Sequence, residues 1–206
     1  MALFKRRQGT VGYFTGLLKA AKERGVVPGK TEEARKWFRD TAMGFSQIQE
    51  TELFKGSKMT NRVSVGSMYM FSYDPKHKLT LPFYDMFPVV FPFSKTKDGF
   101  LGVNLHYLHP VHRARLMDLL YEFASNKNID EKTRLRLSWS VLSQASTDKY
   151  MGPTVKRYLS NHYRSRFIFV SPMEWELCAF LPTERFQKLN KTAVWANSTK
   201  IINSPR

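Results

Sequence analysis

The chain is poor in cysteine, in acidic residues and in uninterrupted apolar runs, and each shortage excludes something. A single cysteine, Cys178, leaves no intramolecular disulfide and no second thiol for a zinc knuckle or ribbon. Its setting, Trp175-Glu176-Leu177-Cys178-Ala179-Phe180, reads as a buried segment and not as a reactive-thiol site, and a reducing compartment is expected. The most apolar stretch, Leu81 to Phe93, is broken by Pro82, Pro88 and Pro92 and falls far short of the roughly 20 residues a membrane helix needs. The basic start runs into Lys19, Lys22 and Glu23 without the apolar region of a secretory signal, so neither export nor a membrane role is expected. Phosphate-loop, dinucleotide-binding and nucleophile-elbow glycine patterns are absent as well.

What is present is a globular composition, 42% hydrophobic and 14% aromatic over 206 residues, enough for one domain with attached arms or two small ones. Lys plus Arg number 33 against 17 Asp plus Glu, a net charge of +16, which favours association with polyanions. The excess is uneven. Residues 1–62 hold 13 basic and 6 acidic side chains, residues 63–124 hold 6 and 5, and residues 125–206 hold 14 and 6. A nearly neutral hub between two basic flanks suggests binding or docking elements on either side of it.

Local patterns divide the chain into a basic helical region over 1–62, an aromatic β core with a following helix over 63–124, a basic helical region over 125–187 and an extended arm over 188–206. Thr10 is placed to cap a helix with Phe14, Leu17, Leu18 and Ala21 on one stripe, ending at Gly25. Thr31 before Glu32 and Glu33 opens a second, carrying Ala34, Trp37, Phe38, Thr41 and Phe45. Residues 56–62 read as a polar linker. Met68 to Tyr73 and Phe87 to Phe93 read as strands, the prolines of the latter suited only to an edge or a bulge. Lys95 to Gly99 reads as a hairpin loop and Phe100 to Leu108 as the returning strand. Pro110 starts a helix burying Leu116, Met117, Leu120 and Phe123. Asp130 caps a helix over 131–143, and a basic helix is predicted from Pro153 to about Tyr163. Arg166 to Val170 reads as a strand, and Ser171-Pro172-Met173-Glu174 matches a capping box for a helix that stops at Pro182. The fold class is therefore α+β, with short aromatic strands that suit a small SH3-like barrel or an antiparallel sheet, amphipathic helices around it and extended basic termini.

Candidate chemistry is thin. His106, His109 and His112 recur every third residue, but a strand end, a loop and a helix start intervene, so their nitrogens are not expected to converge on a metal. Asp74, Asp85, Asp98 and Asp118 could form a magnesium nuclease cluster only by coming together, and each has a local reading as a turn or helix-face residue. No cofactor is implied. Binding has the stronger signal: Lys156, Arg157, Tyr158, His162, Tyr163, Arg164 and Arg166 mix phosphate partners with rings that can stack on bases, and Lys5, Arg6 and Arg7 add an N-terminal cluster. The competing reading makes the rings core and the charges a solvated face. Val194, Trp195, Ile201 and Ile202 are apolar anchors suited to docking the C-terminal arm on a protein partner.

The strings Gly66 to Lys76, Leu81 to Pro88 and Gly99 to Leu108, with Val155 to Leu159 and Phe180 to Phe186, resemble the DNA end protector, or head completion, proteins of large contractile-tailed bacteriophages. His109, where that family is expected to carry proline, departs from the pattern and sets the histidine triplet apart from any family site. The resemblance implies a virion protein of the head–tail junction, assembled in the host cytoplasm. Such a protein binds the end of packaged linear double-stranded DNA, shields it from host exonuclease and readies the filled head for tail joining. It implies no catalytic residues. The alternatives are a structural neck protein docking on portal or tail proteins, and a metal-dependent nuclease.

Overall fold

The structure, a computed structural model, describes residues 31–45, 48, 50–55, 57–124 and 152–204, together with 16, 19, 21–23, 25 and 140. Most of the first expected helix, all of the helix over 131–143 but Ser140, the Phe123 side chain and the cluster Lys5, Arg6 and Arg7 lie outside the described residues.

Five helices are described in full: α1 Glu32–Met43, α2 Glu50–Phe54, α3 Pro110–Ala124, α4 Trp175–Phe180 and α5 Lys191–Asn203. Eight strands accompany them: β1 Met59–Thr60, β2 Met68–Met70, β3 Tyr84–Asp85, β4 Val89–Thr96, β5 Gly99–Asn104, β6 Val155–Leu159, β7 Phe167–Val170 and β8 Phe186–Gln187. Six of these form an antiparallel sheet in the order β1-β7-β2-β4-β5-β6, and β3 pairs with β8 separately.

Local chemistry accounts for several boundaries. Thr31 accepts the Ala34 amide at 3.1 Å and starts α1, whose Ala34, Phe38 and Ala42 are buried. At the α4 entry, Glu174 accepts both the Ser171 amide, at 3.0 Å, and its hydroxyl, at 2.7 Å, and Pro172 occupies the first turn, where its missing N–H is no loss. Asn104 accepts the His106 amide at 3.0 Å and diverts the chain from β5 into a 3-10 turn, which is why the returning strand ends before Leu108.

The sheet has two buried faces. Along β2, Met68 and Met70 join the larger core with Phe38, Leu53, Val89, Phe91, Val103, Leu116, Trp175 and Leu177, whereas Tyr69 on the opposite pleat joins Phe71, Tyr73, Phe100, Tyr158 and Phe167. This is the two-residue alternation of a strand covered on both sides. Phe100 of β5 and Phe167 of β7 lie three strands apart in the sheet order, yet their ring centroids are 6.3 Å apart. A flat sheet would hold those strands about 14 Å apart, so this one is strongly curled. It remains open, with β1 and β6 as its edges, and the SH3-like closure expected from the short strands is not found. Pro92 sits in interior strand β4, where a shift between Pro92 and Ser94 marks a bulge; β2 pairs only with Val89 and Val90, so the proline displaces no ladder bond on that side.

Three other expectations are corrected. Residues 153–163 form a 3-10 turn, β6 and a second 3-10 turn instead of a basic helix, because pairing with β5 from Val155 to Leu159 satisfies that backbone and overrides local propensity. Met59–Thr60, in the segment read as a linker, pairs with β7. The expected extended arm is largely α5, capped by Asn190 accepting the Ala193 amide at 2.9 Å. Val194 and Ile202 are fully buried within this fold, and Trp195 donates its indole N–H to the His106 carbonyl at 2.8 Å. Those three anchors serve the chain's own core; Ile201 alone among the four is exposed.

Candidate nucleic-acid interface

The stretch from Tyr73 to Asp85 winds over one end of the curled sheet. Its backbone folds into successive turns, Lys78 N to Pro75 O at 3.2 Å and Leu81 N to His77 O at 2.9 Å. His162 and Lys188 are among the residues that hold it from outside. His162 places Nδ1 2.8 Å from the Asp74 carbonyl while the Asp74 amide donates to His162 O at 3.1 Å. Lys188 donates from Nζ to the carbonyls of Leu79 and Leu81, at 2.9 and 2.6 Å. The result presents Lys76, His77 and Lys78 to solvent beside Arg157, Arg164 and Lys188, all exposed.

Between this turn and edge strand β6 lies a cleft of about 590 Å³. Pro75, Leu81, Phe83, Tyr84 and Tyr107 line it together with Lys156 and Arg157, and the buried Asp85, Asn104 and Tyr158 lie at its inner end. The inner polar groups are mutually satisfied. Asn104 donates to Asp85 Oδ2 and to the Tyr158 hydroxyl, both at 3.1 Å. Asp85 also accepts from His106 Nδ1 at 2.7 Å and from the amides of Phe87 and Arg185 at 3.1 and 3.2 Å, while His106 Nε2 faces Thr183 Oγ1 at 3.1 Å. Burial alone would raise the Asp85 pKa, but His106, Asn104 and the Phe87 amide outweigh it and hold the carboxyl below its ordinary value.

Charges around the cleft divide into two kinds. Arg157 meets Asp98 at 2.8 Å and Arg164 meets Asp74 at 3.0 Å, both pairs at the surface, where such contacts are weak. Lys156 differs. Its Nζ donates to the Pro153 carbonyl at 2.9 Å and stands 4.2 Å from the Tyr107 ring centroid, and burial lowers its pKa to about 8.

Of the residues singled out from the sequence, Lys156, Arg157, His162 and Arg164 therefore gather at this end of the molecule. Tyr158 does not offer a face to a base: it is 3% exposed, its ring packed on Phe71, Tyr73 and Phe100. Tyr163 is half-buried against Phe71, Phe100 and Phe167, so alternation on the curled sheet has turned these rings inward. Arg166 turns toward the β1 edge, bonding Asn61 Oδ1 at 3.0 Å and the Met59 carbonyl at 3.2 Å. The cations of the 75–81 turn and the Lys188 clasp were missed in a region that reads as neutral; the run Pro75-Lys76-His77-Lys78 was their one local signal.

The other chemistry-bearing groups are dispersed. His106 is buried, His109 packs edge-on to Trp195 at 5.6 Å, and His112 lies on α3. Asp118 pairs with Arg35 and Arg39, whose guanidinium also grips Glu176 at 2.7 Å and ties α1 to α3 and α4. Cys178 is buried, and burial pushes its thiol well up. Among the described residues, no three His, Cys, Asp or Glu side chains are grouped to hold a metal ion, and no helix is long and apolar enough to cross a membrane.

Searches of curated proteins and of solved structures found no match. A family model described as the phage T4 terminal DNA protecting protein matches residues 11–202, a span that takes in every described strand and both sides of the cleft. By that match the chain belongs to the phage T4 terminal DNA protecting protein family.

Proposed function

We propose that this chain covers the end of linear double-stranded phage DNA with the cationic surface formed by the 75–81 turn, β6 and the 160–164 segment. By occupying that end it denies entry to host exonuclease, acting without bond chemistry of its own. In this reading it is a virion protein of the head–tail junction that readies the filled head for tail joining. The observation that carries the reading is the gathering of Lys76, His77, Lys78, Arg157, Arg164 and Lys188 around one cleft. These cations contribute phosphate neutralisation, which positions a protein on DNA without reading sequence. Competition between linear and covalently closed circular DNA of one sequence tests it. Linear DNA should compete better in proportion to the number of ends and not to length; equal competition per base pair would point to a neck protein whose basic surface meets DNA or acidic partners generally.

A further inference from the structure

We propose that the cleft between the 75–84 turn and β6 receives one unpaired terminal nucleotide of a DNA end, its base among Leu81, Phe83 and Tyr84 and its phosphate on Lys156. The inference rests on the end-protection reading and assigns that surface a ligand. The cleft's volume, about 590 Å³, lies within the range of small-molecule sites, about 300–1,000 Å³. Phe83 and Tyr84 are half-exposed, and Phe83 is backed by the buried Tyr107 ring, centroids 5.8 Å apart at 33°, which leaves Phe83 and Tyr84 as the rings on which any base can stack.

Lys156 supplies the charge argument. Arg157 and Arg164 each have a carboxylate of their own. Among the described residues no carboxylate lies within ion-pair distance of Lys156, whose contacts are a carbonyl oxygen and a ring face. A partly desolvated ammonium without a counter-anion is unfavourable, and a phosphate entering the cleft provides that anion. The inner end also predicts what the cleft will not do. Asn104 spends both amide hydrogens on Asp85 and Tyr158 and its oxygen on the His106 amide, so its side chain has no donor left to tell one base from another. At Asn104, then, no base is singled out, as sequence-independent end protection demands.

The test is fluorescence-anisotropy binding of the full chain to four kinds of duplex. One has both ends closed by hairpins, one is blunt with 5′-phosphates, one carries a single unpaired nucleotide on the 5′ or the 3′ strand, and one carries an abasic residue at that position. The unpaired nucleotide should tighten binding about tenfold over the blunt end, as expected for one stacked base, with little difference among the four bases. The abasic duplex should lose the gain, and whichever strand polarity shows it identifies the bound terminus. Lys156→Met and Phe83→Ala should each bring the unpaired end back to within about twofold of the blunt one. The same two proteins should melt cooperatively. Equal affinity for blunt, unpaired and abasic ends, all above the hairpin-closed duplex, overturns the cleft assignment and leaves end binding standing. Equal affinity for all four, the closed duplex included, overturns the end-protection reading itself.

Discussion

Replacing Lys156 by methionine should make the protein more stable at neutral pH, an uncommon outcome for a mutation in a binding surface. Its pKa is lowered by burial from 10.5 to about 8, and at 1.36 kcal/mol per pH unit the charged form carries a penalty of about 3 kcal/mol in the folded state. Against this, the variant loses the bond to the Pro153 carbonyl, about 1 kcal/mol, and the contact with the Tyr107 ring, about 0.5–1 kcal/mol. Methionine keeps most of the apolar stem, so packing changes little. The expected net gain is about 1 kcal/mol near pH 7, or about 2–4 °C in melting temperature for a chain of this size. The sign of the pH dependence follows from the lowered folded pKa: between about 8 and 10.5 the unfolded chain holds the proton and the folded chain does not, so wild-type stability rises with pH across that window. Urea unfolding of both proteins from pH 7 to 10.5, compared pairwise so that the other lysines and the tyrosines cancel, measures this. The advantage of Lys156→Met should shrink and reverse, by about 3 kcal/mol in all. A variant less stable than wild type at pH 7, or a difference that does not move with pH, would refute the claim that a desolvated, unpaired ammonium sits there.

Truncating Phe71 or Phe91 to alanine should cost about 3–5 kcal/mol, since both are fully buried on opposite faces of the sheet; an unchanged melting temperature with lost DNA binding would make either ring part of a recognition surface. Asp85→Ala should cost about 3–5 kcal/mol, because it strands the buried donors of His106 and Asn104. With its folded pKa below the ordinary value, the Asp85 carboxylate contributes stability that is fully present above about pH 4 and is lost as pH falls through the folded pKa, so acid titrations of wild type and variant should converge. Joint reversal of Lys76, Arg157 and Arg164 to glutamate should lower the slope of log affinity against log salt by about 0.9 for each phosphate contact removed; reversal of Lys36 and Lys200 should leave it unchanged.

What could be read from the sequence was mostly what a few neighbouring residues decide. The Thr31 and Ser171 caps, the Pro110 helix start and the halt of α4 at Pro182 are all local, and each is found in the structure; of the edge or bulge that Pro92 allowed, the structure has the bulge. Strand order is not local, so barrel closure could not be settled in advance, and the two-residue β1 exists only because β7 pairs with it. β6 was hidden by its lysine and arginine, although Val155, Arg157 and Leu159 alternate with Lys156 and Tyr158. α5 was hidden because Ser198 stands between Val194 and Ile202 on the buried stripe. The same contrast governs the site. Charge pointed to Arg157 and Arg164, whereas the cleft depends on Lys188 reaching across to carbonyls more than a hundred residues earlier, a contact no spacing rule would find.

The central claim, that this chain protects DNA ends by occupying them, is tested most directly by exonuclease digestion of a linear duplex labelled at both ends, with wild type and the Lys76, Arg157 and Arg164 triple reversal compared at one salt concentration. Wild type should preserve terminal label at a stoichiometry set by the number of ends, without cleaving the DNA, while the triple variant leaves the ends open to digestion. Digestion at the same rate with and without wild-type protein, or protection that survives loss of the cationic surface undiminished, would contradict it.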